Sequence, residues 1–120
     1  MRIGIDLDGT ITAHPEFFSK LSHLWDDDVY IITLRDDKEE AIQDAEKHNI
    51  KFTDVILVDS CEDKARIIKE MDIKCYWDDM PEVLVHVEND VAVFLVRDEI
   101  SNFDFDDRKF VFTEETGKII

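Results

Sequence analysis

The chain has 120 residues, 44% of them hydrophobic and 37% charged, which describes one globular domain over residues 1–120 rather than a disordered chain. Its 30 acidic and 14 basic side chains leave a formal net charge of −16, which excludes attraction of nucleic acid by counterion release and disfavours anionic membranes. No apolar run approaches the roughly 20 residues of a membrane span, and the start has no signal-peptide pattern, so a cytoplasmic location is expected.

The first element is the apolar run Ile3-Gly4-Ile5, ending in Asp6-Leu7-Asp8-Gly9-Thr10. Alternation along a strand puts Asp6 and Asp8 on one side and Leu7 on the other. In open α/β sheets ligands sit beyond the carboxyl ends of the strands, where this pair falls. Two such carboxylates repel, and a divalent cation with a preference for oxygen, such as Mg²⁺, removes the conflict. Gly9 lets the backbone turn and admits a ligand close to the main chain. A short loop over Thr10 to Pro15 follows, and then a helix over Glu16 to Trp25 with Phe17, Phe18, Leu21, Leu24 and Trp25 at helical spacing.

Asp26-Asp27-Asp28 makes a turn into Val29–Thr33, whose continuous β-branched composition reads as a strand buried on both faces. Asp36 to His48 reads as a helix stopped at Asn49. Val55 to Val58 is a third strand, and Asp59 or Ser60 caps a helix carrying Ala65, Ile67, Ile68 and Met71. Ile73 to Trp77 is a fourth strand, closed by Asp78 and Asp79. Pro81 opens a helix running to Glu88, and Val91 to Val96 is a fifth strand. Beyond Arg97 the pattern weakens to a short strand over Phe110-Val111-Phe112 and a tail from Gly117 to Ile120. Alternating strands and helices imply a three-layer α/β/α, Rossmann-like, doubly wound parallel sheet. Cys61 and Cys75 lack metal-ligand spacing and read as reduced thiols.

Four features fall at strand ends in a fixed order. They are Asp6-x-Asp8-Gly9-Thr10, a strand ending in Thr33, Lys64 at the start of a helix, and a strand ending in Asp78-Asp79. In this order they resemble the four motifs of the haloacid dehalogenase-like (HAD) hydrolases, over Ile3 to Pro81. The resemblance implies a HAD-like fold and a Mg²⁺-dependent phosphatase working through an aspartyl-phosphate. It makes Asp6 the nucleophile and Asp8 the general acid and base. Asp6, Asp79 and the Asp8 carbonyl would hold the metal, with Asp78 behind them. Leu7, Gly9, Thr10, Thr33, Leu34 and Lys64 would surround the phosphate. Dehalogenases of the family lack the second Asp of the first motif, so Asp8 favours phosphate esters.

Thr33-Leu34-Arg35 further resembles nucleotidase-like members, which makes a nucleotide or another small phosphorylated metabolite the expected substrate. His14 and Arg35 are candidates for contacts beyond the phosphate, while His23, His48 and His86 read as surface or packing residues. The segments from Ile11 to Ile32 and from Thr33 to Lys64 leave no room for an inserted cap domain. A capless site accepts a bulky substrate or is closed by a neighbouring subunit, so a homo-oligomer and a polynucleotide 3′- or 5′-end phosphatase are alternatives; the −16 charge opposes the second. From other classes, an inactive acidic binding module on the same fold and a receiver-like signalling domain are further alternatives. The second places its Thr or Ser and its Lys after the fourth and fifth strands, where this chain has Asp78-Asp79 and Arg97-Asp98.

Overall fold

The computed structural model describes residues 1–98 and 102–112. The five apolar runs form strands β1 (Arg2–Ile5), β2 (Val29–Thr33), β3 (Asp54–Leu57), β4 (Ile73–Asp78) and β5 (Ala92–Leu95). They join in one sheet of order β3-β2-β1-β4-β5, and every neighbouring pair is parallel. Helices α1 (Pro15–Leu24), α2 (Lys38–Lys47), α3 (Cys61–Glu70) and α4 (Pro81–Leu84) fill the connections.

Strand alternation divides the core into two halves. Ile3, Ile5 and Ile31 face Phe18 of α1 with Ala41 and Ala45 of α2. Ile32, Ile73 and Tyr76 face Ile68 of α3 and Val83 of α4. The molecule is therefore an α/β/α sandwich. Because the chain leaves β1 toward β2 on one side and later returns to β4 on the other, the strand order reverses between β1 and β4, which is where such sheets bind ligands.

Local signals set the helix ends. The Asp37 carboxylate accepts from Glu40 N–H at 3.1 Å and the Ser60 hydroxyl from Asp63 N–H at 3.0 Å, capping α2 and α3. Asn49 and Asp72, just past these helices, take the left-handed conformation at φ 57° and 54°. The fourth helix is shorter than the sequence pattern predicts. It ends at Leu84 rather than Glu88, because His86 N–H and Val87 N–H bond to Val83 and Leu84 three residues back, tightening the chain into a turn toward β5. The expected strand over Phe110 to Phe112 is corrected to β7 (Lys109–Phe110), which pairs antiparallel with β6 (Phe103–Asp104) in a separate hairpin. The tail from Gly117 to Ile120 lies outside the described residues.

Gly4 packs closely under β2 and β4 side chains, since a Cβ there would stand 3.0 Å from Tyr76 Cδ1 and 3.4 Å from Ile32 Cδ1 and Ile73 Cδ1. Gly4→Val should overpack this face and cost about 1–3 kcal/mol. Urea unfolding should report it as a lower midpoint at unchanged m-value.

Candidate active site

β1 ends with the Asp6 N–H bonded to Trp77 O at 2.9 Å, which holds the ends of β1 and β4 in register and sets their terminal carboxylates beside each other. Asp6, Asp78 and Asp79 are all buried, and one carboxylate oxygen of each lies within 4.8 Å of the others. Ser60 caps α3 so that Lys64 lies one turn in, and its side chain reaches under the strand ends. Its Nζ donates to Asp6 Oδ1 at 2.7 Å and Asp78 Oδ2 at 2.9 Å, with Lys64 only 1% exposed. Asp6 Oδ2 accepts from the Thr10 hydroxyl at 3.0 Å. Asp78 is fully engaged: its Oδ2 also accepts from Tyr76 OH at 2.5 Å, and its Oδ1 from Met80 N–H at 2.9 Å.

The electrostatics follow from three carboxylates around one ammonium. Burial, with the charge of Asp78 added, pushes the Asp6 carboxyl up from 3.8 to about 6, against the pull of Lys64 and a hydrogen bond with Asp79. Burial works against the Lys64 charge, but Asp6 and Asp78 together outweigh it and hold its pKa above the ordinary lysine value. Tyr76 is pushed well up by burial and by Asp78, so it stays a hydrogen-bond donor.

The turn after β1 carries the remaining first-motif residues. Gly9 takes φ 79°, and a Cβ there would run into the Asp79 carboxylate, so both the conformation and the close approach require glycine. Leu7 packs into the core on the α1 side, and its carbonyl accepts from Thr12 N–H at 3.1 Å. Asp8 departs from the simple alternation that puts it beside Asp6. The turn begins at Leu7, and the Asp8 carboxylate is 58% exposed and lies outside the acidic cluster. Arg35 grips it bidentately, Nε to Oδ2 at 2.9 Å and Nη2 to Oδ1 at 2.7 Å. The same guanidinium bonds Asp44 at 2.5 Å and Glu40 at 3.4 Å on α2.

Thr33 is buried at the end of β2, and its Oγ1 accepts from Arg35 N–H at 3.2 Å, which leaves the hydroxyl proton able to donate. Leu34 packs against the α3 side of the core. His14 is exposed and Nε2 lies 2.6 Å from Arg97 O, tying the first loop to the segment after β5.

Two residues of the site were missed from sequence. Tyr76 stands two positions before Asp78 on β4, so strand periodicity alone puts both on one face. Asn102 carried no signal. It is buried, donates from Nδ2 to Asp79 O at 2.8 Å and Val96 O at 2.7 Å, and so pins the β6–β7 segment against the end of β4. Comparison with protein-family models, curated proteins and solved structures returns no match.

Because the native Asp6 binds its proton more tightly than an unfolded aspartate, its contribution to stability is present below pH 4 and is lost as pH rises through about 6. In chelator, the stability of Asp6→Asn relative to wild type should therefore rise by about 1–3 kcal/mol between pH 4 and pH 7. Thermal or urea unfolding of the two proteins across this range checks the sign.

Proposed function

We propose that this chain is a Mg²⁺-dependent phosphomonoesterase of the haloacid dehalogenase-like type, without an inserted cap, working through an aspartyl-phosphate on Asp6. The observation that carries the reading is the buried cluster of Asp6, Asp78, Asp79 and Lys64 at the point where the strand order reverses. Its donor set fits a hard cation, being all oxygen and carrying more negative charge than one lysine offsets. Asp6 and Asp79 would hold the ion together with the main-chain carbonyl of Asp8. Asp78, whose oxygens are taken by Lys64, Tyr76 and Met80, would stay behind them and fix Lys64. Bound there, Mg²⁺ offsets the charge of the phosphoryl oxygens.

In this mechanism the Asp6 carboxylate attacks phosphorus in line, and the bond from phosphorus to the leaving oxygen breaks. The leaving alkoxide takes its proton from Asp8. Water then attacks phosphorus, Asp8 accepts its proton, the bond to Asp6 breaks and inorganic phosphate departs. A carboxylate nucleophile splits one hard displacement into two easier ones. Lys64 and the Thr33 hydroxyl hold the phosphoryl oxygens, which is the positioning and charge neutralisation that phosphoryl transfer requires. To act, Asp8 must exchange Arg35 for the leaving oxygen, while Asp44 and Glu40 keep the guanidinium in place at the mouth of the site. The Thr33-Leu34-Arg35 resemblance makes a nucleotide or another small phosphorylated metabolite the substrate class.

Hydrolysis of p-nitrophenyl phosphate and of an alkyl phosphate, each with and without Mg²⁺ after chelation, tests the assignment. Activity should require the metal, and Asp6→Asn should lower it by about a thousandfold or more. Asp8→Asn should spare the first step with the p-nitrophenolate leaving group and abolish it with the alkyl one. Metal-independent turnover, or substantial activity in Asp6→Asn, would refute the reading.

A further inference from the structure

The guanidinium of Arg35 is held from α2 and offers a separate edge to the first-motif turn. Its Nη1 bonds Asp44 at 2.5 Å and lies 3.4 Å from Glu40. Its Nε and Nη2 donate side by side to the two oxygens of Asp8, at 2.9 and 2.7 Å. The Arg35 side chain is 17% exposed and that of Asp8 58%. The arginine is thus the covered, anchored partner, and the aspartate is the one that solvent reaches.

Two short links tie this pair to the reacting position. Asp8 stands two residues after Asp6, and Arg35 stands two residues after Thr33, with its N–H bonded to Thr33 Oγ1 at 3.2 Å. In the proposed mechanism Asp8 gives up Arg35 to serve the leaving oxygen. An aspartate reaches both places only by changing rotamer, so the Arg35 fork and the leaving oxygen lie within one short side chain's swing. Once Asp8 turns, Nε and Nη2 lose both charge-assisted bonds, while Asp44 and Glu40 keep the guanidinium in place. Covered donors left without acceptors cost free energy. A planar fork of two N–H groups matches the paired oxygens of a carboxylate or a phosphate.

We propose that Arg35 is a specificity-determining residue: the fork that Asp8 vacates takes a second acidic group of the substrate. The substrate is then a phosphomonoester that carries a carboxylate or a further phosphate a few bonds from its ester oxygen. This rests on the phosphatase reading and deepens it, because the substrate's own acid displaces Asp8 and so frees the general acid for the ester to be cleaved. A monoester with a neutral tail has to break the Asp8–Arg35 pair with nothing to replace it. The net charge of −16 repels anions overall, so a preference for the more anionic of two esters runs against the global field and reports a local cation.

Two matched pairs of esters, assayed with Mg²⁺, test the proposal. One compares the phosphate ester of 3-hydroxypropionate with that of its amide, and the other compares propane-1,3-diol bisphosphate with the monophosphate. In at least one pair the acidic member should exceed its neutral counterpart in kcat/KM by tenfold or more, about the worth of one charge-assisted hydrogen bond. The pair that shows it identifies the acid. Arg35→Gln should bring that ratio close to one, and Arg35→Lys, which keeps the charge without the fork, should lower it at least threefold. An arginine needed only for the fold, or only to restrain Asp8, would alter both members alike and leave the ratio standing. Ratios near one in both pairs, or a ratio unmoved in Arg35→Gln, would overturn the proposal while hydrolysis of p-nitrophenyl phosphate kept the phosphatase reading intact. No turnover of any ester would overturn both.

Discussion

The ammonium of Lys64 is the interaction on which the site depends. It lies 1% exposed between two buried carboxylates, at 2.7 Å from Asp6 and 2.9 Å from Asp78. Taking three ions out of water costs several kcal/mol for each, and good geometry only offsets that cost. A core of apolar residues of similar volume would serve stability as well or better. The cluster is thus a poor device for holding the fold together and a good one for holding charge ready. Asp78 spends its oxygens on Lys64, Tyr76 and Met80, so the lysine is fixed in direction as well as in charge.

Everything around the cluster acts to place it. The sheet order brings β4 beside β1 although the two are far apart in sequence, and the Asp6 to Trp77 backbone bond carries that pairing to the last residue. The Ser60 cap sets the start of α3 and so the reach of Lys64. Gly9 lets the turn pass against the Asp79 carboxylate, and Asn102 holds the Asp79 main chain. These supports come from four separate stretches of chain.

The strands were legible in the sequence as continuous apolar, largely β-branched runs, most clearly β2 (Val29–Thr33), which is buried on both faces. Asp6, Asp78 and Asp79 were legible as polar residues at the ends of such runs, and Lys64 as a cation at the start of the helix after β3. What escaped was tertiary. Alternation predicts that Asp8 accompanies Asp6, but β1 ends at Ile5 and the turn that begins at Leu7 breaks the strand period, and Arg35, anchored on α2, takes the carboxylate instead. The helix after Pro81 reads as two turns, yet the chain must reverse early to set Ala92 beside Cys75. The β6–β7 hairpin pairs residues 103–104 with 109–110 through turn geometry and a buried asparagine, neither of which a hydrophobic pattern records.

The central claim is that Asp6 is a nucleophile toward phosphorus in a site completed by a divalent cation. Beryllium trifluoride, which takes the place of a phosphoryl group on a carboxylate, probes it without any knowledge of the substrate. Fluorine NMR of the protein with BeF₃⁻ should show bound resonances that require Mg²⁺ and are absent from Asp6→Asn. Bound resonances that persist in Asp6→Asn, or a wild-type protein that forms none with Mg²⁺ present, would contradict the account.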